Sequence, residues 1–189
     1  MMTGICQVFD ALYGPKLFGI FWHLLADVSI LNTSEIAAAS SVLGANAIRY
    51  DDVRVAEGRL LNIVFKLNRN RAFTTFHTIN FPKAENHSRL RLDVVVHELV
   101  HVYQFEVAGS IYIWQALRAQ RTEGYSYGGW QQLLEDWNNG KHFRDYNREQ
   151  QGQMAQDFYN NVVAAGLPDD DQVSLAYKPF IDELRNGKL

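Results

Sequence analysis

Residues 94 to 106 read VVVHELVHVYQFE, with His97 and His101 four positions apart and Glu98 directly after the first. On an α-helix, positions i and i+4 share a face, so two imidazoles at that spacing can converge on one ion at about 2.0–2.1 Å. Glu98 falls roughly 100° further round, where a carboxylate reaches a water at the ion without being a ligand. The pattern therefore separates metal binding from proton transfer. Val94, Val95, Val96, Leu99, Val100 and Val102 surround it, and an unpartnered imidazole in such a setting costs on the order of a few kcal/mol. Each ring needs an ion or a hydrogen-bonding group to answer it.

The protein has a single cysteine, Cys6, which excludes an internal disulfide framework and a Cys-rich zinc site. Any ion must be held by His, Asp or Glu. A catalytic zinc takes three protein ligands and keeps one position open. No third histidine follows the helix after a glycine, because the continuation is VYQFEVAGSIY. Glu123, Glu135, Asp136, His142, Asp145, Glu149 and Asp157 are all of suitable type. Glu149 opens a well-formed later helix, and a packed helix holds a ligand more rigidly than a loop. There Glu149, Gln153 and Asp157 follow at i, i+4 and i+8, while Met154, Phe158 and Val162 take the other side. That polar face suits a cleft, with Asp157 orienting a ligand histidine, and it suits solvent equally well. Spacing leaves the choice open. Tyr125 and Tyr127, in the loop GYSYGG, are candidate donors to a developing oxyanion, although packing uses such tyrosines as readily. His77 is a weaker candidate, and His23, His87 and His142 read as surface or core histidines.

The elements that must position these residues follow from patterning. KLFGIFWHLLADVSIL (16–31) reads as a buried or lid-forming helix; His23 and Asp27 interrupt it well short of the roughly 20 apolar residues that span a bilayer. LNTSEIAAASSVLG (31–44) opens on Asn32 with Glu35 three positions on, a capping-box start, and closes on Gly44. AIRYDDVRV, LLNIVFKL and AFTTFHTINF are rich in β-branched and aromatic residues and read as strands of a small antiparallel sheet, ended by Pro82. Helical spacing returns over 90–106, 111–120 and 148–166, with a short closing helix at the C-terminus. The fold class is α+β: a small antiparallel sheet packed on an active-site helix, with a C-terminal helical part, in one domain over 1–189.

With 189 residues and a formal net charge of −3, the sequence has no Lys/Arg-rich block, so there is no electrostatic case for nucleic-acid binding. MMTGICQVFD carries no basic residue and no clear cleavage site follows the apolar run, so no signal peptide is expected. The compartment is then cytoplasmic, or reached by a non-classical secretion system.

Three segments together, VVVHELVHVYQFE, GYSYGG and FRDYNREQQGQMAQDFY, resemble zincin-like metallopeptidase domains of the gluzincin type, found in bacteria alongside contractile injection systems, Rhs proteins and type VI secretion. The match runs through His97, Glu98, His101, Val102 and Gln104, then Asn147, Glu149, Gln150, Gln151, Asp157 and Phe158. It covers roughly residues 30–165, leaving 1–30 as an N-terminal apolar helix and 166–189 as a helical extension. The resemblance implies a zincin-like fold, Zn²⁺ held by His97, His101 and Glu149, Glu98 as general base, a peptide or protein substrate, and a possible secretion-system or toxin partner. Val100 stands where the family often has threonine, and Gly152-Gln153 replaces an Ala-Glu pair. Two other classes remain open: a catalytically inactive zinc-binding module acting as a structural component of a secretion or toxin system, and a metal-free interaction domain using the apolar N-terminus and Trp22, Trp114, Trp130 and Trp137.

Overall fold

The computed structural model describes residues 2–58, 60–83, 87–122 and 124–189. Two helices, α1 (Met2–Ala11) and α2 (Gly14–His23), lead into strand β1 (Asp27–Ile30) and helix α3 (Thr33–Leu43). After β2 (Arg54–Glu57) come α4 (Leu61–Leu67), β3 (Phe73–Thr75) and β4 (Thr78–Phe81). The long helix α5 (Leu92–Ala108) follows, then α6 (Ile111–Arg121), α7 (Gly129–Asn138), α8 (Arg148–Phe158), a π-helical turn (Tyr159–Val163) and α9 (Gln172–Arg185). The class is α+β, as patterning implies.

The sheet departs from the expected antiparallel one. Its four strands run in the order β1-β2-β4-β3, and β2 pairs with β4 in parallel, Val55 opposite Ile79. The cause is LLNIVFKL, expected as a strand and folded as α4. Leu61 and Phe65, four apart, are buried while Asn62 and Ile63 face out, and a short apolar run does not distinguish strand from helix by periodicity alone. With a helix there, the connection has the crossover length that parallel strands need.

AFTTFHTINF is likewise a hairpin, not one strand: Thr75 pairs with Thr78 across a turn at Phe76 and His77. That turn lacks the usual Asn or Gly signal, and Phe76 adopts φ 56°. Its ring is buried against Phe9, Phe18 and Phe105, which offsets the strain. The apolar run 16–31 is also two elements. Helix α2 ends at His23, and β-branched Val28 and Ile30 form β1, antiparallel to β2. The segment is not buried, since Leu17, Ile20, Phe21 and Leu24 are exposed. The division expected at residue 30 falls at the end of β1 and so assigns one of the sheet's two outer strands to the N-terminal part. Among the described residues no helix is long and apolar enough to cross a membrane.

The capping box at Asn32 forms as expected: its Oδ1 accepts from the Glu35 amide at 3.0 Å and Glu35 Oε2 accepts from the Asn32 amide at 2.7 Å. The Glu35 carboxylate also pairs with Arg89, which donates to Ser29 Oγ at 2.7 Å and the Ile30 carbonyl at 2.7 Å. One guanidinium thereby ties the approach to α5 onto α3 and β1. Helix α5 is the centre of the core. Val95, Val96, Leu99, Val100 and Val102 have no solvent exposure, and burying each of them contributes roughly 1.5–3 kcal/mol relative to leaving it exposed. The C-terminal α9 belongs to the same core through Tyr177, Phe180, Ile181 and Leu184.

Asp93, in the first turn of α5, clamps this helix to α8 and the π-helical turn. Its carboxylate accepts from Arg91 at 2.9 and 2.8 Å, from Gln156 at 2.8 Å and from Asn160 at 3.2 Å. Burial pushes the Asp93 carboxyl up, but these donors together hold it below the usual carboxylate range. Its stabilisation is therefore present above the unfolded value near 3.9 and is lost as pH falls through the lower native value. Asp93→Ala should cost about 2 kcal/mol by stranding the donors, read as a lowered urea midpoint at pH 7. The gap between variant and wild type should narrow below about pH 4.

Candidate metal centre

Helix α8 starts where it does because of its own capping box. Asn147 Oδ1 accepts from the Glu149 and Gln150 amides at 3.0 and 2.9 Å, and Gln150 Oε1 accepts from the Asn147 amide at 3.1 Å. Glu149 is thereby set in the first turn, where the helix dipole favours an anion. Packing of α8 on α5 brings its carboxylate to the two histidines: Oε2 lies 3.5 Å from His97 Nε2 and 3.6 Å from His101 Nε2. All three residues are almost fully buried, at 5%, 5% and 1% exposure. Among the described residues no other His, Cys, Asp or Glu group converges in this way, with donor atoms all within 4.8 Å of one another.

The orientation of His101 is fixed by a polar relay that ends on backbone carbonyls. Gln151 Nε2 donates to the Phe143 and Tyr146 carbonyls at 3.1 and 3.2 Å, so its Oε1 accepts from Gln104 Nε2 at 2.9 Å. Gln104 Nε2 also reaches the Arg148 carbonyl at 3.2 Å, and its Oε1 then faces His101 Nδ1 at 2.8 Å. A carbonyl can only accept, so each amide has one orientation, and His101 must donate from Nδ1. In the neutral ring this leaves the Nε2 lone pair directed at Glu149, as metal ligation requires. His97 is held by shape instead. Its Nδ1 has no hydrogen-bond partner, and its ring lies so close to Gly152 that a Cβ there would stand 2.9 Å from Cε1 and Nε2.

Two imidazoles and a carboxylate are a zinc donor set, and ligands at 2.0–2.1 Å around a tetrahedral ion stand roughly 3.3–3.4 Å apart. The two His–Glu149 separations, 3.5 and 3.6 Å, lie close to that spacing, and all three donor atoms lie within 4.8 Å of one another. The charges also call for a cation. Burial would lower the His101 pKa, but the Glu149 carboxylate raises it to about 9. Burial opposes the Glu149 charge, yet both histidines hold its carboxyl far below the usual range. Without an ion, a proton on His101 takes the cation's place.

Glu98 faces the same space. Burial pushes its carboxyl above the usual carboxylate range, against the two neighbouring histidines, and the Thr74 hydroxyl lies 2.8 Å from its Oε2. His97, Glu98, His101 and Glu149 all line one cleft of about 460 Å³, with β3 and α6 among its walls. Tyr125 lines it too, its ring centroid 5.9 Å from that of His97. Tyr127 is a correction to the sequence expectation: its hydroxyl donates to Asp157 at 2.7 Å and meets Tyr177 at 2.8 Å, outside the cleft. Asp157 is a second. Its oxygens accept from Tyr127 and from Gln153 at 2.8 Å, and it contacts neither histidine, because roughly two turns of α8 carry it away from the ion site.

Of the other ligand candidates, Asp136 pairs with Lys141 and Tyr146, Asp145 caps the short turn after His142, and His142 pairs with Glu183. Glu135 is exposed, and Glu123 and the His23 side chain lie outside the described residues. His77 pairs with Glu106 at 2.9 Å, away from the cleft. His87 reaches the cleft wall without joining the ligand cluster. Thr74, Gly152 and the Gln104–Gln151 link carry roles that spacing did not reveal.

Comparison with protein-family models, with curated proteins and with solved structures finds no match to this protein. What defines it is an α+β framework with a buried His-His-Glu cluster at the floor of a cleft.

Glu149→Ala should lower zinc affinity at least 100-fold, whereas His142→Ala and Asp145→Ala should leave it unchanged, as measured by competition with a chromogenic chelator. Gly152→Ala should weaken zinc roughly 10- to 100-fold by displacing His97, with helical circular dichroism intact because alanine favours a helix over glycine by about 1 kcal/mol.

Proposed function

We propose that the protein is a zinc-dependent metallopeptidase that hydrolyses peptide bonds with Glu98 as general base. The observation that supports it is the convergence of His97, His101 and Glu149 at the floor of a cleft that Glu98 shares. His97, His101 and Glu149 would hold the ion, and zinc there would supply Lewis acidity toward a water and a carbonyl oxygen. Glu98 receives the proton of the attacking water and returns it to the departing amine. Thr74 aims the carboxylate, its hydroxyl 2.8 Å from Oε2. Burial pushes the Tyr125 phenol well up, so it stays protonated and serves as a donor toward an oxygen gaining charge. The choice of a peptide as substrate, and an association with a bacterial secretion or toxin assembly, rest on the likeness of the three segments to gluzincin-type domains.

Protein purified without a metal-binding tag should carry about one zinc per molecule by plasma mass spectrometry, lost in His97→Ala. Zinc should raise the melting temperature of the metal-free protein, since an ion bound only by the native state stabilises it. Wild type should cut peptides in a denatured protein mixture, read by mass spectrometry of new termini. Glu98→Gln should keep its zinc and lose at least 100-fold in rate. Zinc binding with no cleavage by wild type would make the ion structural, and absence of zinc would make the histidines core residues paired with Glu149.

A further inference from the structure

Tyr112 of α6 closes off part of the cleft wall. Strand β3 is the sheet's outer strand on the cleft side, and such an edge ordinarily offers main-chain groups to an incoming extended peptide. Here the Tyr112 hydroxyl donates to the Thr74 carbonyl at 3.1 Å and accepts from the Phe76 amide at 3.2 Å. The Thr74 hydroxyl is committed to Glu98. The Thr74 carbonyl and the Phe76 amide are therefore taken, which leaves fewer main-chain groups for a peptide and gives side-chain chemistry a larger part in holding it.

Arg71 supplies that chemistry. It lines the cleft, is exposed to solvent within it, and stacks on Tyr125 with its guanidinium carbon 5.3 Å from the ring centroid. The guanidinium also hydrogen-bonds the Tyr125 side chain, and its remaining N–H donors are available for a bidentate bond. Arg49, Arg89 and Arg91 each face a carboxylate, whereas no carboxylate among the described residues pairs with Arg71. The backbone is also strained into position just before it: Arg69 and Asn70 both adopt the left-handed region, at φ 54° and 53°. Asparagine tolerates that conformation and arginine does not, and strain of this kind gathers at binding sites.

The path from Arg71 to the ion site runs through Tyr125 in steps of 5.3 and 5.9 Å. Two or three extended residues at roughly 3.4 Å each, with the carboxylate's own reach and a charge-assisted hydrogen bond of about 2.8 Å added, span such a path. We infer that the cleft selects peptides bearing a carboxylate two or three residues from the bond to be cut, received by the Arg71 guanidinium stacked on Tyr125. The carboxylate is either the C-terminus of the peptide or an acidic side chain. The inference rests on the peptidase reading for its substrate class, but carboxylate binding is separable from turnover.

The test uses the zinc-loaded full-length protein and four hydroxamate dipeptides, hydroxamoyl-Leu-Glu and hydroxamoyl-Leu-Gln, each as free acid and as amide, with affinities from calorimetry. Hydroxamate anchors the probe at zinc, so binding does not depend on cleavage. Probes with a carboxylate should bind wild type about five- to tenfold tighter than the neutral Gln amide, less than a buried charge-assisted pair gives because the Arg71 guanidinium is solvated. Arg71→Gln should remove that preference while leaving the neutral probe's affinity unchanged, and Arg71→Lys should restore part of it. Preference for both free acids points to a C-terminus, and preference for both Glu probes to an acidic side chain. Equal binding of all four by wild type, or a preference that survives Arg71→Gln, would overturn the inference. An Arg71-dependent preference in a protein that cuts no peptide sinks the peptidase reading alone; failure of all four to bind sinks both.

Discussion

Two imidazoles and a carboxylate are buried against one another where α8 crosses α5, and the rest of the molecule is arranged around that contact. Burying any one of them alone is costly, because a desolvated ionic group without a partner is worth several kcal/mol of instability. Burying them together is tolerable only if their separations and orientations are held closely. Valines and leucines that exclude solvent entirely surround α5, and Asp93 pins it to α8 and the following turn. Those features keep the donor atoms at spacings that suit a small divalent ion.

The two histidines are positioned by different physics. His101 is oriented by directional bonds, relayed through Gln104 and Gln151 to carbonyls whose only possible role is acceptor. His97 is oriented by lack of room, its ring lying on the bare Cα of Gly152. Hydrogen bonds set one ring's tautomer, and close packing sets the other ring's place. The unpartnered Nδ1 of His97 makes it the less supported of the two, dependent on Glu149 and the glycine surface. The same helix α8 contributes the Glu149 carboxylate, the Gln151 amide and the Gly152 surface within a single turn, so its placement decides most of the centre at once.

The placement of the histidines and of Glu98 on one helix was legible because it is local. Histidines at i and i+4 share a face whatever the tertiary fold, and Glu98 follows from the same helical geometry. The capping boxes at Asn32 and Asn147 were set by short-range hydrogen bonding, and the first of them was visible from spacing. Elements whose identity depends on what they pack against were not legible. LLNIVFKL carries an apolar pattern compatible with strand or helix, and contact of Leu61 and Phe65 with Ala26 and Ala56 decided for helix. The turn at Phe76 has no turn residue, and burial of its ring stabilises a backbone that local propensity disfavours. Tyr127 and Asp157 stood at plausible positions in the sequence, yet they pair with each other at a distance from the cleft.

By itself, then, the sequence determined the α+β class, the helix that carries His97, Glu98 and His101, and the chemical types available to the site, since these depend on periodicity and side-chain chemistry over a few turns. Only the tertiary structure decided which of the downstream acids and histidines meets His97 and His101, that β2 and β4 run parallel, that Thr74 and Arg71 reach the cleft, and that Gly152 lies against His97. Each of those outcomes is a contact between residues tens of positions apart. Such contacts are selected by packing and by the partnering of buried charge, which a linear spacing does not encode.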